Sequence, residues 1–291
     1  MDLHKKDQSN PPQKEIDIVL NILNLNKLDE TKQKVEKLLT EYNNSSILYN
    51  ILGAVYAGEN NLEEAIKNYR KAISINNNYA QAYNNLGVAL QKINKIDEAI
   101  ENYNKAITLK SNFAEAYNNL GNAVKEKNKF KEALVYFDKA IKIKNDYAEA
   151  YFNIATTKEI LKNKDEAVNY YNQAISIRPD FIEAYNELGN ILSELSRFDE
   201  SLSCYKKAIK INPKNEKTYN NLGNLLSDLG NHDEATKAYN QAIKIKPNYT
   251  KAYSNLLMNF NYKLDLDTEL YLDEAKKFGL NCKYIKKSLP I

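Results

Sequence analysis

Seven tyrosines, Tyr49, Tyr83, Tyr117, Tyr151, Tyr185, Tyr219 and Tyr253, fall 34 residues apart without a slip. Glycines keep the same beat at Gly53, Gly87, Gly121, Gly189 and Gly223, and prolines at Pro179, Pro213 and Pro247. A fixed period of that length over most of a chain defines a repeat array. One such unit is too small to bury its own apolar face, so the units must stack on one another. A stacked array displays its functional residues along a groove rather than in an enclosed pocket.

Residues 80–113, AQAYNNLGVALQKINKIDEAIENYNKAITLKSNF, serve as the type unit. Tyr83, Leu86, Gly87 and Leu90 lie at i, i+3, i+4 and i+7, one face of an α-helix. Asn94-Lys95 interrupts that pattern as a short turn would. Ile96, Ala99, Ile100, Tyr103, Ala106 and Ile107 then share one face of a second helix. Two antiparallel helices joined by a short turn follow.

The small residues have a packing role. Glycine inside a helix costs about 1 kcal/mol relative to alanine, so its recurrence asks for a steric reason. Gly87 and Ala99 are expected to let the two helix backbones approach, and Ala106 to let the next unit dock. Pro179, Pro213 and Pro247 are expected to end the second helix, because proline lacks an N–H and clashes with the preceding turn.

The pattern Tyr-x-x-Leu-Gly … Ala-x-x-x-Tyr-x-x-Ala … Pro resembles the tetratricopeptide repeat, with tyrosine at the usual tryptophan position. Full matches begin at residues 46, 80, 114, 148, 182 and 216. The departures are Ala155 for the glycine, Ser201 for the alanine and Lys164 for an apolar turn residue. The resemblance implies an all-α fold, a right-handed superhelical solenoid of stacked antiparallel helix pairs. Six regular repeats are expected over residues 46–249.

Weaker units flank them. Residues 12–45 keep Ile18, Ile22, Val35 and Leu38 in phase but lose the aromatic and glycine signature, as a capping repeat does. Residues 250–291 begin a new repeat, but Leu257 sits where glycine belongs, so the regular array is expected to end there. Leu270, Ala275 and Phe278 suggest a closing helix stopped by Gly279, and residues 1–11 read as a disordered tail.

Composition excludes several functions. The 41 basic and 38 acidic residues leave a formal charge of +3, without the clustered positive charge that nucleic-acid binding leaves as its footprint. Only Arg70, Arg178 and Arg197 are arginines, so forked recognition of phosphate is poorly supplied. Cys204 and Cys282 form no disulfide framework. The N-terminus carries no apolar signal segment, and no apolar run approaches the roughly 20 residues that cross a bilayer. A cytoplasmic protein bound neither to nucleic acid nor to membrane is expected.

Catalytic chemistry finds little to use. His4 and His232 are the two histidines; His232 shares the turn-to-helix phase of Leu62, Ile96 and Phe130 and reads as a packing residue. Cys204 lies inside a repeat helix with no paired base, so it is not read as a nucleophile. Asp265-Leu266-Asp267 superficially matches a metal-binding Asp-x-Asp, yet no further ligands surround it. No catalytic residue, metal or cofactor is assigned.

A ladder of amides is the candidate site. Two residues after the phase tyrosines stand Asn85, Asn119, Asn153, Asn221 and Asn255, with Glu187 interrupting and Ile51 at the start. Five residues after them stand Asn122, Asn190 and Asn224. Both rows lie off the buried stripe of the first helix. Two accounts fit them. Each amide offers a donor and an acceptor to the backbone of an extended peptide, as the concave faces of repeat proteins do. Alternatively the rows reflect a chain rich in asparagine everywhere, with Asn84, Asn118 and Asn220 as further examples.

The partner is accordingly expected to be another protein or an extended peptide. Repeats that grip a C-terminal carboxylate through basic residues are poorly matched, although Lys217 and Lys251 line one edge. Residues 252–278, AYSNLLMNFNYKLDLDTELYLDEAKKF, resemble the segment joining repeats to catalytic lobes in bacterial O-linked N-acetylglucosamine transferase-like proteins. That resemblance implies an alternative role, the substrate-recognition arm of a protein glycosyltransferase, either truncated or working beside a separate catalytic chain. The nucleotide-sugar-binding lobes are absent from this sequence.

Overall fold

A computed structural model describes residues 10–260 together with Lys276. Its helices, in chain order, are α1 (Gln13–Asn24), α2 (Leu28–Glu41), α3 (Ser46–Gly58), α4 (Leu62–Ile75), α5 (Ala80–Lys92), α6 (Ile96–Leu109), α7 (Ala114–Glu126), α8 (Phe130–Ile143), α9 (Ala148–Ile160), α10 (Lys164–Ile177), α11 (Ile182–Glu194), α12 (Phe198–Ile211), α13 (Glu216–Asp228), α14 (His232–Ile245) and α15 (Thr250–Phe260). No strand occurs among the described residues. The chain divides after Thr157 into two compact units. In the first, α1 packs on α2, α3 on α4, α5 on α6 and α7 on α8. In the second, α11 packs on α12 and α13 on α14, while α15 rests on both α13 and α14.

The turn inside each pair repeats as faithfully as the helices. Asn26, Asn60, Asn94, Asn128, Lys162, Ser196 and Gly230 all have φ between 56° and 75°, and they too are 34 residues apart. The left-handed conformation lets the chain reverse and recover the helix's last carbonyls. Lys95 N–H, for example, donates to Leu90 O at 2.9 Å, and Asn94 N–H to Gln91 O at 2.9 Å. Asparagine tolerates that conformation better than other non-glycine residues, which explains its place in four of the seven turns.

The second helices end at one phase whether or not proline follows. α10, α12 and α14 stop two residues before Pro179, Pro213 and Pro247, and α4, α6 and α8 stop at the same point without a proline. The helix is closed by an extended capping residue, as at Asn76, Lys110 and Lys144. Proline reinforces this stop and does not create it.

The glycines make room for a ring rather than for a backbone. A Cβ on Gly53, Gly87, Gly121, Gly189 or Gly223 would fall 2.5–2.6 Å from a ring carbon of Tyr69, Tyr103, Phe137, Tyr205 or Tyr239 respectively. Each ring comes from the second helix of the same pair. Ala99, Tyr103 and Ala106 are completely buried, so α6 carries the aromatic face that the sequence pattern implied. Of the departures, Ser201 is buried with its hydroxyl donating to Gly189 O at 2.7 Å. Lys164 opens α10 and pairs with Glu194 at 2.8 Å.

At the N-terminal end the buried face of α1 centres on Ile16 and Val19. Ile18 and Ile22, which the 34-residue phase selects, are only half-buried, because α1 meets α2 and α3 through the adjacent stripe. Val19 and Val35 join Leu48, Ile51 and Leu52 in one cluster, with Leu38 against it. Asn10 Oδ1 accepts a hydrogen bond from Ser45 Oγ at 2.7 Å. At the other end Leu256, Leu257 and Phe260 pack with Ala235 and Tyr239. Residues 1–9, the segment with Leu270, Ala275, Phe278 and Gly279, Asp265, Asp267 and Cys282 lie outside the described residues.

Candidate functional site

The first helix of each pair carries both asparagine rows, and these helices are neighbours within a unit: α3 with α5, α5 with α7, α11 with α13 and α13 with α15. Their asparagines are joined by hydrogen bonds. Asn85 Nδ2 donates to Asn50 Oδ1 at 3.0 Å, Asn119 Nδ2 to Asn84 Oδ1 at 3.0 Å, and Asn153 Nδ2 to Asn118 Oδ1 at 2.9 Å. In the second unit Asn255 Nδ2 donates to Asn220 Oδ1 at 3.0 Å. A half-buried rung in one repeat thus donates to a buried asparagine in the repeat before it.

The acceptors are deep in the fold: Asn84 is 0% exposed, and Asn50, Asn118 and Asn220 are buried as well. Asn84, Asn118 and Asn220 therefore have a specific task, fastening one repeat to the next. A buried carbonyl left without a donor costs about 1–3 kcal/mol, so each rung has a structural reason for its identity. The spacing of 35 between paired asparagines could have revealed this from the sequence. Reading the two rows separately hides it.

One rung departs from the rule. Asn186 and Asn221 have the spacing of a pair, yet Asn186 Oδ1 is buried without a hydrogen-bond partner. Asn221 instead has its Oδ1 facing Asn220 Nδ2 at 3.5 Å. Asn221 is half-buried and its own Nδ2 makes no hydrogen bond among the described residues.

The second row is divided. Asn190 Oδ1 accepts from Tyr205 Oη at 2.8 Å and its Nδ2 donates to Glu187 Oε2 at 3.0 Å. Asn224 Oδ1 accepts from Tyr239 Oη at 2.9 Å and from Asn255 Nδ2 at 2.9 Å. In the pair of α7 and α8 the position of Tyr205 and Tyr239 is taken by Phe137, which has no hydroxyl, and the Asn122 amide makes no hydrogen bond among the described residues. Where the row holds Val88 or Thr156, the tyrosine reaches one turn further. Tyr103 Oη donates to Gln91 Oε1 at 2.9 Å and Tyr171 Oη to Glu159 Oε2 at 2.7 Å.

Electrostatics in this face follow from burial. Burial raises the Glu159 carboxyl above the ordinary carboxylate range, opposed by its bond from Tyr171. Burial holds the Lys125 ammonium below the usual lysine range. Lys125 Nζ donates to Thr156 Oγ1 at 3.3 Å and lies 5.8 Å from the Phe137 ring centroid.

In the second unit α11, α13 and α15 bound a cleft of about 530 Å³. Glu187, Asn190, Asn221, Asn224 and Asn255 line it, with Lys217 and Lys251 at its edge. The structure thus gathers four of the predicted asparagines around one opening. Asn85, Asn119, Asn122 and Asn153 belong to the first unit, on α5, α7 and α9.

The residues weighed for chemistry have other employment. Burial pushes the Cys204 thiol up to about 11, which keeps it protonated and unreactive at neutral pH. His232 Nδ1 lies 2.9 Å from Asn259 Oδ1, and Asn259 Nδ2 returns a bond to His232 O at 2.8 Å. Asn259 is buried and also binds Ser227 and Thr236, so His232 serves to tie α14 to α15. No cluster of three His, Cys, Asp or Glu residues suited to a metal ion occurs among the described residues. No helix among them is long and apolar enough to cross a membrane.

Comparison with known proteins agrees with this architecture. Two tetratricopeptide repeat profiles match the chain, one over residues 113–180 and 180–248 and the other over 53–94 and 92–128. No curated protein matches the sequence. Among solved structures, YrrB, described as a TPR protein with an unusual peptide-binding site, is similar at 27% identity with a TM-score of 0.51. That match covers 64% of this chain and 96% of YrrB. MamA is similar at 28% identity and a TM-score of 0.50, over 56% of this chain and 95% of its own. The pilF protein of Pseudomonas aeruginosa shares the fold, with a TM-score of 0.63 at 21% identity over 72% and 95%. With its 34-residue pairs matched by repeat profiles from residue 53 to 248, the chain belongs to the tetratricopeptide repeat family.

Proposed function

We propose that this protein is a binding module that holds an extended segment of another protein along the face built by its first helices. The observation that carries the reading is the hydrogen-bond state of the rungs. An asparagine amide has two N–H donors and a carbonyl acceptor. The link to the preceding repeat takes one N–H from Asn119 and from Asn153, leaving the second N–H and the carbonyl for a bound backbone. Asn85 and Asn255 retain less, because Gln81 donates to Asn85 Oδ1 and Asn224 takes a second bond from Asn255. Asn122 and Asn221 retain most. A rung fixed from behind is pre-organised, which lowers the ordering cost of binding. The peptide-binding site of the similar YrrB lends further support.

The module catalyses nothing itself in this reading. The finer role, a recognition arm for a protein glycosyltransferase, draws on the sequence of residues 252–278, most of which lie outside the described residues. It adds the expectation that selected partners become glycosylated when the partner catalytic chain is supplied.

A blocking test addresses the groove directly. Peptides are selected from a phage-displayed library with the full chain, and their binding to variants is measured. Asn122→Trp should abolish binding with an unchanged melting curve, whereas Val135→Lys, on the exposed side of α8, should leave binding intact. Full binding by Asn122→Trp would overturn the reading.

A further inference from the structure

The cleft of α11, α13 and α15 differs from the rest of the ladder in its charge. Glu187 stands where the other rungs carry asparagine, and Asn190 Nδ2 holds its carboxylate at 3.0 Å. Lys217 and Lys251 line the same opening, each exposed and without an ion pair among the described residues. The second position of the first helix is Glu115 in α7, Glu149 in α9 and Glu183 in α11, then Lys217 in α13 and Lys251 in α15. The sign therefore reverses inside this unit.

The uncharged part of the lining points the same way. Asn221 is the rung whose amide is not used in an inter-repeat link, and it opens into this cleft. Amides that grip a backbone carry no sequence preference, because every residue offers the same N–H and C=O. Charged groups at defined places supply register and discrimination instead. A carboxylate fixed on α11 and two unpaired ammonium groups on α13 and α15 give the cleft lining both signs of charge at defined places, a dipolar template.

Resting on the peptide-groove reading above, we infer that this cleft is the specificity site and that it selects a dipolar segment. The bound chain places a basic side chain against Glu187 and an acidic side chain, internal to the segment, against Lys217 and Lys251. A segment with two charges of one sign meets repulsion at one end, and like charges brought together across an interface are strongly disfavoured.

The test is a charge-swap selection with the full-length chain. The probe is a library of 12-residue peptides displayed between constant flanks, so that no terminal carboxylate is present. The wild-type chain should enrich sequences with one basic and one acidic residue at a fixed spacing. The pair Lys217→Glu with Lys251→Glu should replace the acidic preference by a basic one, and Glu187→Lys should replace the basic preference by an acidic one. Peptides selected by the wild type should lose about tenfold or more in affinity for either variant, and charge-swapped peptides should restore it. Identical preferences in all three chains would overturn the inference while leaving the groove reading in place. Failure of the wild type to enrich any peptide would overturn both.

Discussion

The ring of Tyr103 occupies the space that a side chain on Gly87 would need: a Cβ there would fall 2.6 Å from Tyr103 Cε1. Tyr103 is fully buried and held at its far end by Gln91, so the ring cannot swing aside. The glycine is the socket and the tyrosine its plug.

Gly87→Ala should therefore destabilise the protein despite alanine's better helix propensity. Overpacking costs about 1–3 kcal/mol, against about 1 kcal/mol gained in propensity. A net loss of up to about 2 kcal/mol is expected. Gly121→Leu, which faces Phe137 in the same way, should open its repeat outright. Thermal melts check both, and an unaltered melt for Gly121→Leu would contradict the socket.

The link between Asn119 and Asn84 has unequal ends, and removing them should have unequal effects. Asn119→Ala strands Asn84 Oδ1 in the interior, costing about 1–3 kcal/mol. At this link Asn84→Ala leaves only a half-buried donor that water can reach, costing about 1 kcal/mol, to which the lost bond from Asn84 Nδ2 to Glu115 Oε1 at 3.0 Å adds its own share. Together they should cost less than the sum, with a coupling of about 0.5–1.5 kcal/mol in a double-mutant cycle by chemical denaturation. Strict additivity would mean that the hydrogen bond contributes nothing. Because of the links to Asn84 and Asn118, Asn119→Ala with Asn153→Ala should lower stability as well as weaken partner binding.

Glu159 should make stability depend on pH in the direction opposite to most carboxylates. Its native value is raised, first by burial. Between the ordinary carboxylate value and this raised one, the native state binds more protons than the unfolded state. Stability contributed by the protonated group is thus lost as pH rises through the native value. Glu159→Gln keeps an acceptor for Tyr171 and removes the charge. Its melting temperature should exceed that of the wild type at pH 7 and approach it at pH 4. A variant less stable at pH 7 would show that the Tyr171 bond needs the carboxylate.

The sequence carried the fold because every constraint on it is local or strictly periodic. Tyr83, Leu86, Gly87 and Leu90 define one helix face, and Asn94 marks the turn that the left-handed backbone requires. What escaped was contact between repeats. Asn84 and Asn119 touch across an interface that only stacking creates, so their 35-residue relation looks like coincidence in a chain rich in asparagine. The reach of Tyr205 to Asn190 but of Tyr171 to Glu159 depends on which neighbour offers an acceptor, a choice invisible to a repeat pattern. The buried stripe of α1 departs from the 34-residue phase because Ile16 and Val19, not Ile18 and Ile22, form its buried face.

The most direct test of the groove is Asn221→Ala, because this rung makes no inter-repeat link and its stability role is separable. Calorimetric titration with a peptide selected by the wild-type chain, alongside a thermal melt, is the measurement. The account predicts affinity reduced about five- to tenfold, the loss of about 1 kcal/mol or slightly more, with an unchanged melting temperature. Undiminished affinity for Asn221→Ala would show that the free amides of the ladder do not hold the bound chain.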